Sequence, residues 1–75
     1  MPQRLILFVC TGNVCRSPMA EYLLRARLGS KSNWRVASAG LSAISGMPAS
    51  PYAIEVLAPR NLDMRAHRSR ALTRE

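Results

Sequence analysis

The apolar residues of this 75-residue chain fall into short blocks whose spacing predicts alternating strands and helices. Residues 5–9 form an uninterrupted apolar run, which predicts a strand covered on both faces, as in the middle of a parallel sheet. Residues 17–28 carry apolar side chains three and four positions apart, which predicts an amphipathic helix that ends at Gly29. On that helix Glu21 stands four residues before Arg25, a spacing that favours an ion pair on the outer face.

A second strand and a second helix are predicted further along the chain. Residues 34–37 predict a short strand, and a strand, helix and strand of this length should form a right-handed parallel crossover. Ser50 and Pro51 have the residue types of an N-cap and a first helical position, and Pro59 should end that helix. This order predicts the α/β class, as the N-terminal β-α-β-α part of a doubly wound parallel sheet, with a third helix opening at residues 73–75.

The segment between the first strand and the first helix is predicted to bind an anion. Gly12 and Asn13 are the residue types best able to adopt positive φ. A turn of this kind directs successive backbone N–H groups inward, as a nest for an oxyanion of phosphate size. Ser17 is predicted to be the helix N-cap, with Pro18 in the first helical position. The unpaired N–H groups of the helix N-terminus would then also face the nest.

Two side chains of this loop carry the candidate chemistry. Arg16 offers a planar guanidinium that can hold two phosphate oxygens at once. Its charge and the helix N-terminus should lower the pKa of Cys10, since a thiol pKa of about 8.5 falls to roughly 3.5 to 7.5 in such surroundings. A Cys10 thiolate at the floor of an oxyanion cradle is predicted to act as a nucleophile toward phosphorus.

Stretches beyond the loop extend this interpretation. The sequence CTGNVCRSPMAE, in which five residues separate Cys10 from Arg16, is followed by SAG at 38–40, ASPYAIEVL at 49–57 and HRSRALT at 67–73. In type, order and spacing these stretches resemble the low molecular weight protein tyrosine phosphatases. The resemblance covers the whole of this chain but only about the first half of the family's domain. Residues 1–75 are therefore interpreted as a truncated phosphatase domain with a phosphotyrosine phosphatase I-like, Rossmann-like three-layer fold.

The resemblance implies roles for individual residues. Cys10 and Arg16 would be catalytic, Ser38 would help to hold Asn13, and His67 would hydrogen-bond the asparagine and the serine that brace the loop. From the residues alone, Ser38 also fits an ordinary strand-ending turn, and His67 an exposed loop residue. The residues implied to bind phosphate are Thr11, Gly12, Asn13, Val14, Cys15, Arg16 and Ser17. The residues implied to support the site are Asn13, Ser17, Ser38 and His67.

The implied reaction is attack by Cys10 on the phosphate of a phosphorylated protein, followed by hydrolysis of a cysteinyl-phosphate, with Ser17 stabilising the departing thiolate. In the family an aspartate of a later D-P loop protonates the leaving group, and such general acids typically contribute about a hundred- to ten-thousand-fold. Asp63, the aspartate of this chain, does not match that acid, so impaired turnover is expected. The alternative of a different class is a non-catalytic fragment that binds phosphate or sulfate in the loop.

Features of the loops bear on the substrate. Val14 is aliphatic, as in relatives that act on phosphotyrosine, whereas relatives that act on phosphoarginine usually carry threonine there. The small residues between SAG and ASP resemble the phosphoarginine branch, and residues 41–50 lack the aromatic side chain that tyrosine-specific relatives often place there. Phosphotyrosine is the first expectation and phosphoarginine the alternative. Arsenate reductases of the same fold are a third possibility, but they need distal cysteines that the chain does not contain.

The net charge of +7 also fits a binder of nucleic acid. However, no aromatic residues stand among the arginines near the C-terminal end for stacking on bases. We therefore expect no nucleic-acid partner, and interpret these arginines as a solvated face, or as the basic part of a domain counted without its more acidic complement. They are Arg65, Arg68, Arg70 and Arg74.

Cys10 and Cys15 are the two cysteines, and with His67 they are too few for a zinc site, so neither a metal nor a cofactor is expected. A disulfide between them under oxidation and packing of Cys15 beneath the loop both fit the sequence. No apolar run approaches the roughly 18 residues of a membrane span, and no signal-peptide pattern opens the chain. We expect a cytoplasmic protein without membrane contact.

Overall fold

The computed structural model describes residues 4–29 and 33–72, and its elements follow the predicted order. They are strand β1 (Arg4–Cys10), helix α1 (Arg16–Leu28), strand β2 (Trp34–Gly40) and helix α2 (Pro51–Leu57). The two strands pair in parallel, with α1 as the crossover between them. The chain therefore has the predicted β-α-β-α part of an α/β fold. The third helix predicted to open at residues 73–75 falls outside the described residues.

Pairing of the strands brings their carboxyl ends to one edge of the sheet. Arg4 lies opposite Trp34, and Cys10 lies opposite Gly40. Helix α1 packs against both strands. The segments that follow Cys10 and Gly40 therefore meet at the carboxyl edge of the sheet, which is where open α/β sheets place their ligands.

Helix α1 has its N-cap two residues earlier than the sequence predicts. Cys15 is its N-cap, with φ −132° and ψ −82° and no capping bond from its side chain. The predicted N-cap role of Ser17 is therefore wrong, because the Ser17 hydroxyl is engaged by Cys10 and Asn13 instead. The helix stops where predicted, since Gly29 has a left-handed φ of 75°.

Helix α2 has the predicted N-terminus. The Ser50 hydroxyl accepts a hydrogen bond from the Ala53 N–H at 3.2 Å, and Pro51 occupies the first helical position. The helix then tightens into the 3₁₀ turn Ala58–Arg60, which contains Pro59. Proline thus marks the end of the regular helix, as predicted, because it supplies no N–H for a further turn.

The apolar core is small and is built around α2. Val36 and Ala39 of β2 are buried. The buried cluster at α2 consists of Ala49, Ala53, Leu57 and Met64, and the half-buried side chains packed against it are Cys15, Met19, Tyr22, Ile54 and Leu62. Because removal of apolar surface from water is the main favourable contribution to folding, this cluster holds α2 and the segment after it against α1.

Strand β1 is covered on one face only within the described part of the chain. Leu5, Leu7 and Val9 are 55%, 39% and 44% exposed, whereas Ile6 and Phe8 between them are half-buried. The prediction of a strand covered on both faces is therefore wrong for the described residues. An uninterrupted apolar run carries no alternation from which the covered face could be identified.

The segment after α2 returns to the carboxyl end of β2. The Gly40 N–H donates to the Arg70 carbonyl at 2.8 Å, and the Gly40 carbonyl accepts from the Leu72 N–H at 2.9 Å. Pro48 and Arg68 form an antiparallel bridge nearby. These long-range bonds bring the returning segment beside the loop that follows β1, an arrangement that no local sequence pattern predicts.

Candidate active site

The loop between β1 and α1 turns at a left-handed asparagine. Asn13 has a φ of 55°, as predicted, but the φ of Gly12 is not positive, so that part of the prediction is wrong. Asparagine tolerates this conformation because its short polar side chain can hydrogen-bond locally. A Cβ on Gly12 would meet only the Val14 Cγ2, at 3.8 Å, so the loop does not require glycine there.

Gly40 is the glycine that this loop does require. A Cβ at Gly40 would lie 2.6 Å from the Thr11 carbonyl oxygen. Just beyond it, the Leu41 N–H donates to the Cys10 carbonyl at 2.8 Å and the Ser42 N–H donates to the Thr11 carbonyl at 2.9 Å. A side chain at Gly40 would therefore push the loop away from the end of β2.

Cys10, at the end of β1, is surrounded by hydrogen-bond donors. Its Sγ lies 2.9 Å from the Ser17 Oγ, and the Asn13 N–H donates to it at 3.3 Å. Burial of the thiol is the largest single influence on its pKa and raises it, but hydrogen bonds from the Ser17 hydroxyl and from the N–H groups of Ser17, Asn13 and Gly12 together outweigh it. The pKa of Cys10 therefore lies below its ordinary value, which favours the thiolate.

Asn13 is the centre of the hydrogen bonds that hold the loop, and its side chain is fully buried. Its Nδ2 donates to the Ser17 Oγ at 2.9 Å and to the Ser38 Oγ at 2.8 Å. Its Oδ1 accepts from the Arg70 N–H at 2.7 Å. The contact between Ser38 and Asn13 that the resemblance implies is thus present, and Ser38 is more than an ordinary turn residue.

His67 also packs against the loop. It is only 7% exposed, so its interpretation as an exposed loop residue is wrong. Its Nε2 lies 3.0 Å from the Asn13 backbone oxygen, which can only accept, so Nε2 carries the proton. Among the described residues His67 makes no hydrogen bond to a serine, and that part of the prediction is wrong because the ring reaches the Asn13 backbone instead.

Sequence reasoning does not identify Glu21 as part of this site. Its Oε1 accepts from the Ser38 hydroxyl at 2.5 Å, and its Oε2 pairs with Arg25, which also donates to the Val36 carbonyl at 3.2 Å. The predicted ion pair with Arg25 exists, but the Glu21 side chain is buried rather than on an outer face. Its position four residues after Ser17, on the same helix face, was the available signal.

A cavity of about 330 Å³ opens beside Cys10. Both predicted catalytic side chains, Cys10 and Arg16, line it. A thiolate and a guanidinium at the N-terminus of a helix form surroundings suited to a tetrahedral oxyanion. The other polar lining residues are Thr11 and Ser17, and the apolar ones are Phe8, Val9, Ala20 and Leu41.

The remaining predicted phosphate-binding residues form the loop without lining this cavity. They are Gly12, Asn13, Val14 and Cys15. Cys15 packs against the core cluster at α2, as in the packing interpretation, and both cysteines are free thiols. The disulfide between them stays a prediction. Among the described residues, no group of three or more His, Cys, Asp and Glu is arranged to hold a metal ion.

Two arginines of the returning segment, Arg65 and Arg68, bind groups of the chain itself. Arg65 Nη2 lies 2.7 Å from Asp63 Oδ2, and the hydrogen bonds from Arg65 lower the pKa of Asp63 to about 2. Arg68 donates to the carbonyls of Arg65 and His67 at 3.1 and 2.7 Å.

In residues 4–29 and 33–72, no helix has the length and apolar character needed to cross a membrane.

The fold and this site together define a class: α/β proteins in which a cysteine at the end of a strand and an arginine at the start of the following helix line one cavity. The protein-family model described as low molecular weight phosphotyrosine protein phosphatase matches residues 5–75. The chain belongs to this family.

Known relatives and solved structures agree with the family. The chain is 53% identical over 68 residues to a probable low molecular weight protein-tyrosine-phosphatase, EpsP of Ralstonia solanacearum, which covers 91% of this chain and 45% of that protein. It is 48% identical over 75 residues to the protein-arginine-phosphatase of Geobacillus stearothermophilus, covering 100% of this chain and 48% of that protein. The crystal structure of the low molecular weight protein tyrosine phosphatase from T. tengcongensis superposes with a TM-score of 0.86 at 44% identity, over 95% of this chain and 50% of that one. The chain therefore spans about half the length of the curated relatives it matches.

Proposed function

We propose that this chain carries the phosphate loop and the nucleophile of a protein phosphatase that acts on phosphotyrosine. The observation that carries the proposal is the surroundings of Cys10. Its sulfur lies 2.9 Å from the Ser17 hydroxyl and 3.3 Å from the Asn13 N–H, beside a cavity that Arg16 also lines. A thiolate stabilised in this way is a nucleophile, and Arg16 provides the charge that draws a phosphate monoester to it.

The first half of the reaction follows from these positions. The Cys10 sulfur attacks phosphorus in line with the ester oxygen, so that an S–P bond forms as the P–O bond breaks. Arg16 and the loop N–H groups stabilise the charge on the three equatorial oxygens. The alcohol or phenol oxygen leaves with the electron pair of the broken bond and needs a proton, and no carboxylate lines the cavity in the described part of the chain.

In the second half, water attacks the cysteinyl-phosphate and releases phosphate with the Cys10 thiolate as the leaving group. Ser17 is placed to assist, because its hydroxyl is 2.9 Å from that sulfur and can donate to it as negative charge returns. Asn13, Ser38 and His67 keep the loop in shape and do not react. Inorganic phosphate, the product, and sulfate, its mimic, should occupy the same place.

The apolar part of the cavity favours an aryl ester. Phe8, Val9 and Leu41 line the cavity next to Cys10, and an aromatic ring can bury its faces against such side chains. The aliphatic Val14 favours phosphotyrosine for the reason given by the resemblance. Phosphoarginine is the second candidate, supported by the 48% identity to a protein-arginine-phosphatase across all 75 residues.

The nucleophile requires a reduced thiol, and both cysteines are free. We therefore propose that the protein acts in a reducing compartment such as the cytoplasm. Nucleic acid is not proposed as a partner, since no aromatic side chains for stacking on bases stand among the arginines near the C-terminal end.

Hydrolysis of p-nitrophenyl phosphate by the chain, beside its Cys10→Ser variant, tests the proposal. This activated ester releases a weakly basic phenolate and makes little demand on a general acid. We expect turnover that the variant lacks, with cooperative melts by circular dichroism for both samples. Binding of phosphate without any turnover by the folded chain would contradict the proposal and support a non-catalytic oxyanion-binding protein. If turnover is observed, competition between phosphotyrosine and phosphoarginine peptides would rank the two substrate classes.

A further inference from the structure

A buried carboxylate lies at the far end of the hydrogen bonds that lead to Cys10. From the sulfur, the chain of contacts runs 2.9 Å to the Ser17 Oγ, 2.9 Å to the Asn13 Nδ2, 2.8 Å to the Ser38 Oγ and 2.5 Å to the Glu21 Oε1. Glu21 is only 9% exposed. A buried charge of this kind is costly unless it is paired and hydrogen-bonded, and Arg25 with Ser38 meets that requirement.

The direction of every hydrogen bond in this series is fixed by two groups that can act in only one way, the Arg70 N–H and the Glu21 carboxylate. The Arg70 backbone N–H, which can only donate, points at the Asn13 Oδ1 from 2.7 Å. The other branch of that amide is therefore the NH₂ group, and it donates to both serine oxygens. The Glu21 carboxylate can only accept, so the Ser38 hydroxyl donates to it.

One acceptor then remains for the proton of Ser17. Its oxygen already accepts from Asn13, and its remaining contact among the described residues is the Cys10 sulfur. A hydroxyl that must donate to this sulfur favours the thiolate over the thiol. The series divides at Asn13, whose two N–H groups donate to Ser17 on one side and to Ser38 on the other, so Glu21 acts on Ser17 by fixing which way the Asn13 amide faces.

We propose that Glu21 is a positioning residue that, through Ser38 and Asn13, keeps the Ser17 hydroxyl donating to the Cys10 thiolate. The proposal rests on the proposed function in taking Cys10 as the nucleophile. It adds a residue of α1 that touches neither substrate nor sulfur but determines where the proton of Ser17, three residues away in the series, is directed.

Loss of the carboxylate would open a competing arrangement. Without an acceptor at Glu21, the Ser38 proton can be satisfied only if the Asn13 amide turns its oxygen toward the serines. Ser17 would then donate to that oxygen instead of to Cys10. In the present arrangement the Ser38 bond to Glu21 and the Arg70 bond to Asn13 both oppose this flip.

The charges around these groups give the test a distinctive sign. Arg25 is the charged partner of Glu21, and Arg16 lines the cavity beside Cys10. The ring of His67 contacts that of Tyr22, with the two ring centroids 6.2 Å apart. The described charged residues of β1, β2 and α2 are exposed: Arg4, Arg35 and Glu55. Through charge alone, neutralising Glu21 would lower the pKa of Cys10, because a negative neighbour disfavours a thiolate. Through the hydrogen-bond series, the same change must raise it.

The experiment measures the pKa of Cys10 from the pH dependence of iodoacetamide alkylation of the full chain, with tandem mass spectrometry assigning the modified sulfur. Glu21→Met keeps the approximate size of the side chain but has no oxygen that can accept from Ser38. We expect it to raise the pKa of Cys10 by about one unit, the scale of one hydrogen bond to a charged group. Glu55→Met is the matched control, since it makes the same substitution at an exposed helical glutamate and should leave this pKa unchanged.

A double-mutant cycle with Ser17→Ala separates this route from any other. Ser17→Ala alone should also raise the pKa of Cys10, and adding Glu21→Met to it should produce no further rise. A pKa that is unchanged or lowered in Glu21→Met would overturn the proposal, as would an equal rise with and without Ser17. If Glu21→Met does not melt cooperatively, Glu21→Leu also removes the acceptor for Ser38, and it must raise the pKa for the proposal to stand.

Alkylation reports ionisation of the thiol without turnover, so the two proposals fail separately. A chain that shows this pattern but does not hydrolyse p-nitrophenyl phosphate contradicts the proposed function alone. A chain that turns over the ester while Glu21→Met leaves the pKa of Cys10 unchanged contradicts the role of Glu21 alone.

Discussion

The polar residues that support the loop are buried, whereas the apolar outer face of β1 is exposed. This reverses the usual distribution of polar and apolar groups. Asn13, Ser17 and Ser38 are almost completely buried, whereas Leu5 and Val9 are about half exposed. Buried polar groups are tolerated only when they are hydrogen-bonded, and every polar side-chain atom buried in the described residues is.

The two regions differ in how many contacts hold them in place. The loop support is held by many, since Asn13 alone is held by bonds to three separate segments. The outer face of β1 is specified by its pairing with β2 and by little else. Substitutions at the loop support should therefore be far more damaging than substitutions of similar size on β1. Four predictions, from the largest expected effect to the smallest, probe the loop, the core and the outer face of β1.

The largest effect is expected for Asn13→Ala. It removes both donors and the acceptor of a fully buried side chain and leaves a non-glycine residue at a φ of 55°, so we expect a loss of about 4 kcal/mol. The control is Asn61→Ala, at an exposed asparagine with a φ of 59°, where about 1 kcal/mol is expected. Urea unfolding followed by circular dichroism compares them. Equal losses would mean that backbone conformation matters and the buried bonds do not.

Two leucines compare the core with the outer face of β1. Leu57 is 2% exposed and Leu7 is 39% exposed. Leu57→Ala should leave a cavity and cost about 3 kcal/mol, whereas Leu7→Ala should cost under about 1 kcal/mol because little of its surface leaves water on folding. Both are read from the same unfolding curves. A loss at Leu7 as large as that at Leu57 would show that the face of β1 is covered in solution.

Two glycines compare the close approach of β2 with the open part of the loop. A Cβ at Gly40 would lie 2.6 Å from a carbonyl oxygen, whereas at Gly12 the nearest atom is 3.8 Å away. Gly40→Ala should therefore destabilise the fold by about 2 kcal/mol, and Gly12→Ala should change its stability by less than about 0.5 kcal/mol. The reverse order in thermal melts would refute the account of the loop backbone.

The smallest effect is the pH dependence that Cys10 contributes. Because folding lowers the pKa of Cys10 below the ordinary value of a thiol, ionisation of the thiol stabilises the fold. That contribution is fully present above about pH 9, and it is lost as the pH falls through the lowered pKa. The melting temperature of the wild-type chain, relative to that of Cys10→Ser, should therefore rise with pH over this range. A constant difference would mean that the thiol ionises alike in the folded and unfolded chain.

The elements of the fold and the identity of the loop could be predicted because both depend on local patterns. The Ser50 cap, the left-handed Asn13 and the stop at Gly29 are each decided within a few residues of sequence. The Ser17 cap was predicted wrongly because a tertiary partner, the Cys10 sulfur, competes for the same hydroxyl. A local rule cannot register such competition.

The rest of the site depends on contacts between residues distant in sequence. The bond from Arg70 to Asn13 joins residues 57 positions apart, and the bond from Ser38 to Glu21 joins residues 17 apart. Helical spacing made Glu21 look like half of an outer ion pair, since Arg25 stands at the correct interval. Only the position of β2 against α1 reveals that the carboxylate faces inward.

The central claim is that this chain forms an anion-binding loop around a Cys10 thiol whose pKa is lowered. The most direct measurement is the rate of iodoacetamide alkylation of Cys10 and Cys15 at neutral pH, with and without inorganic phosphate, read by tandem mass spectrometry. The account predicts that Cys10 reacts faster than Cys15 and that phosphate slows Cys10 selectively. Equal rates for the two sulfurs, or a Cys10 rate that phosphate leaves unchanged, would contradict it.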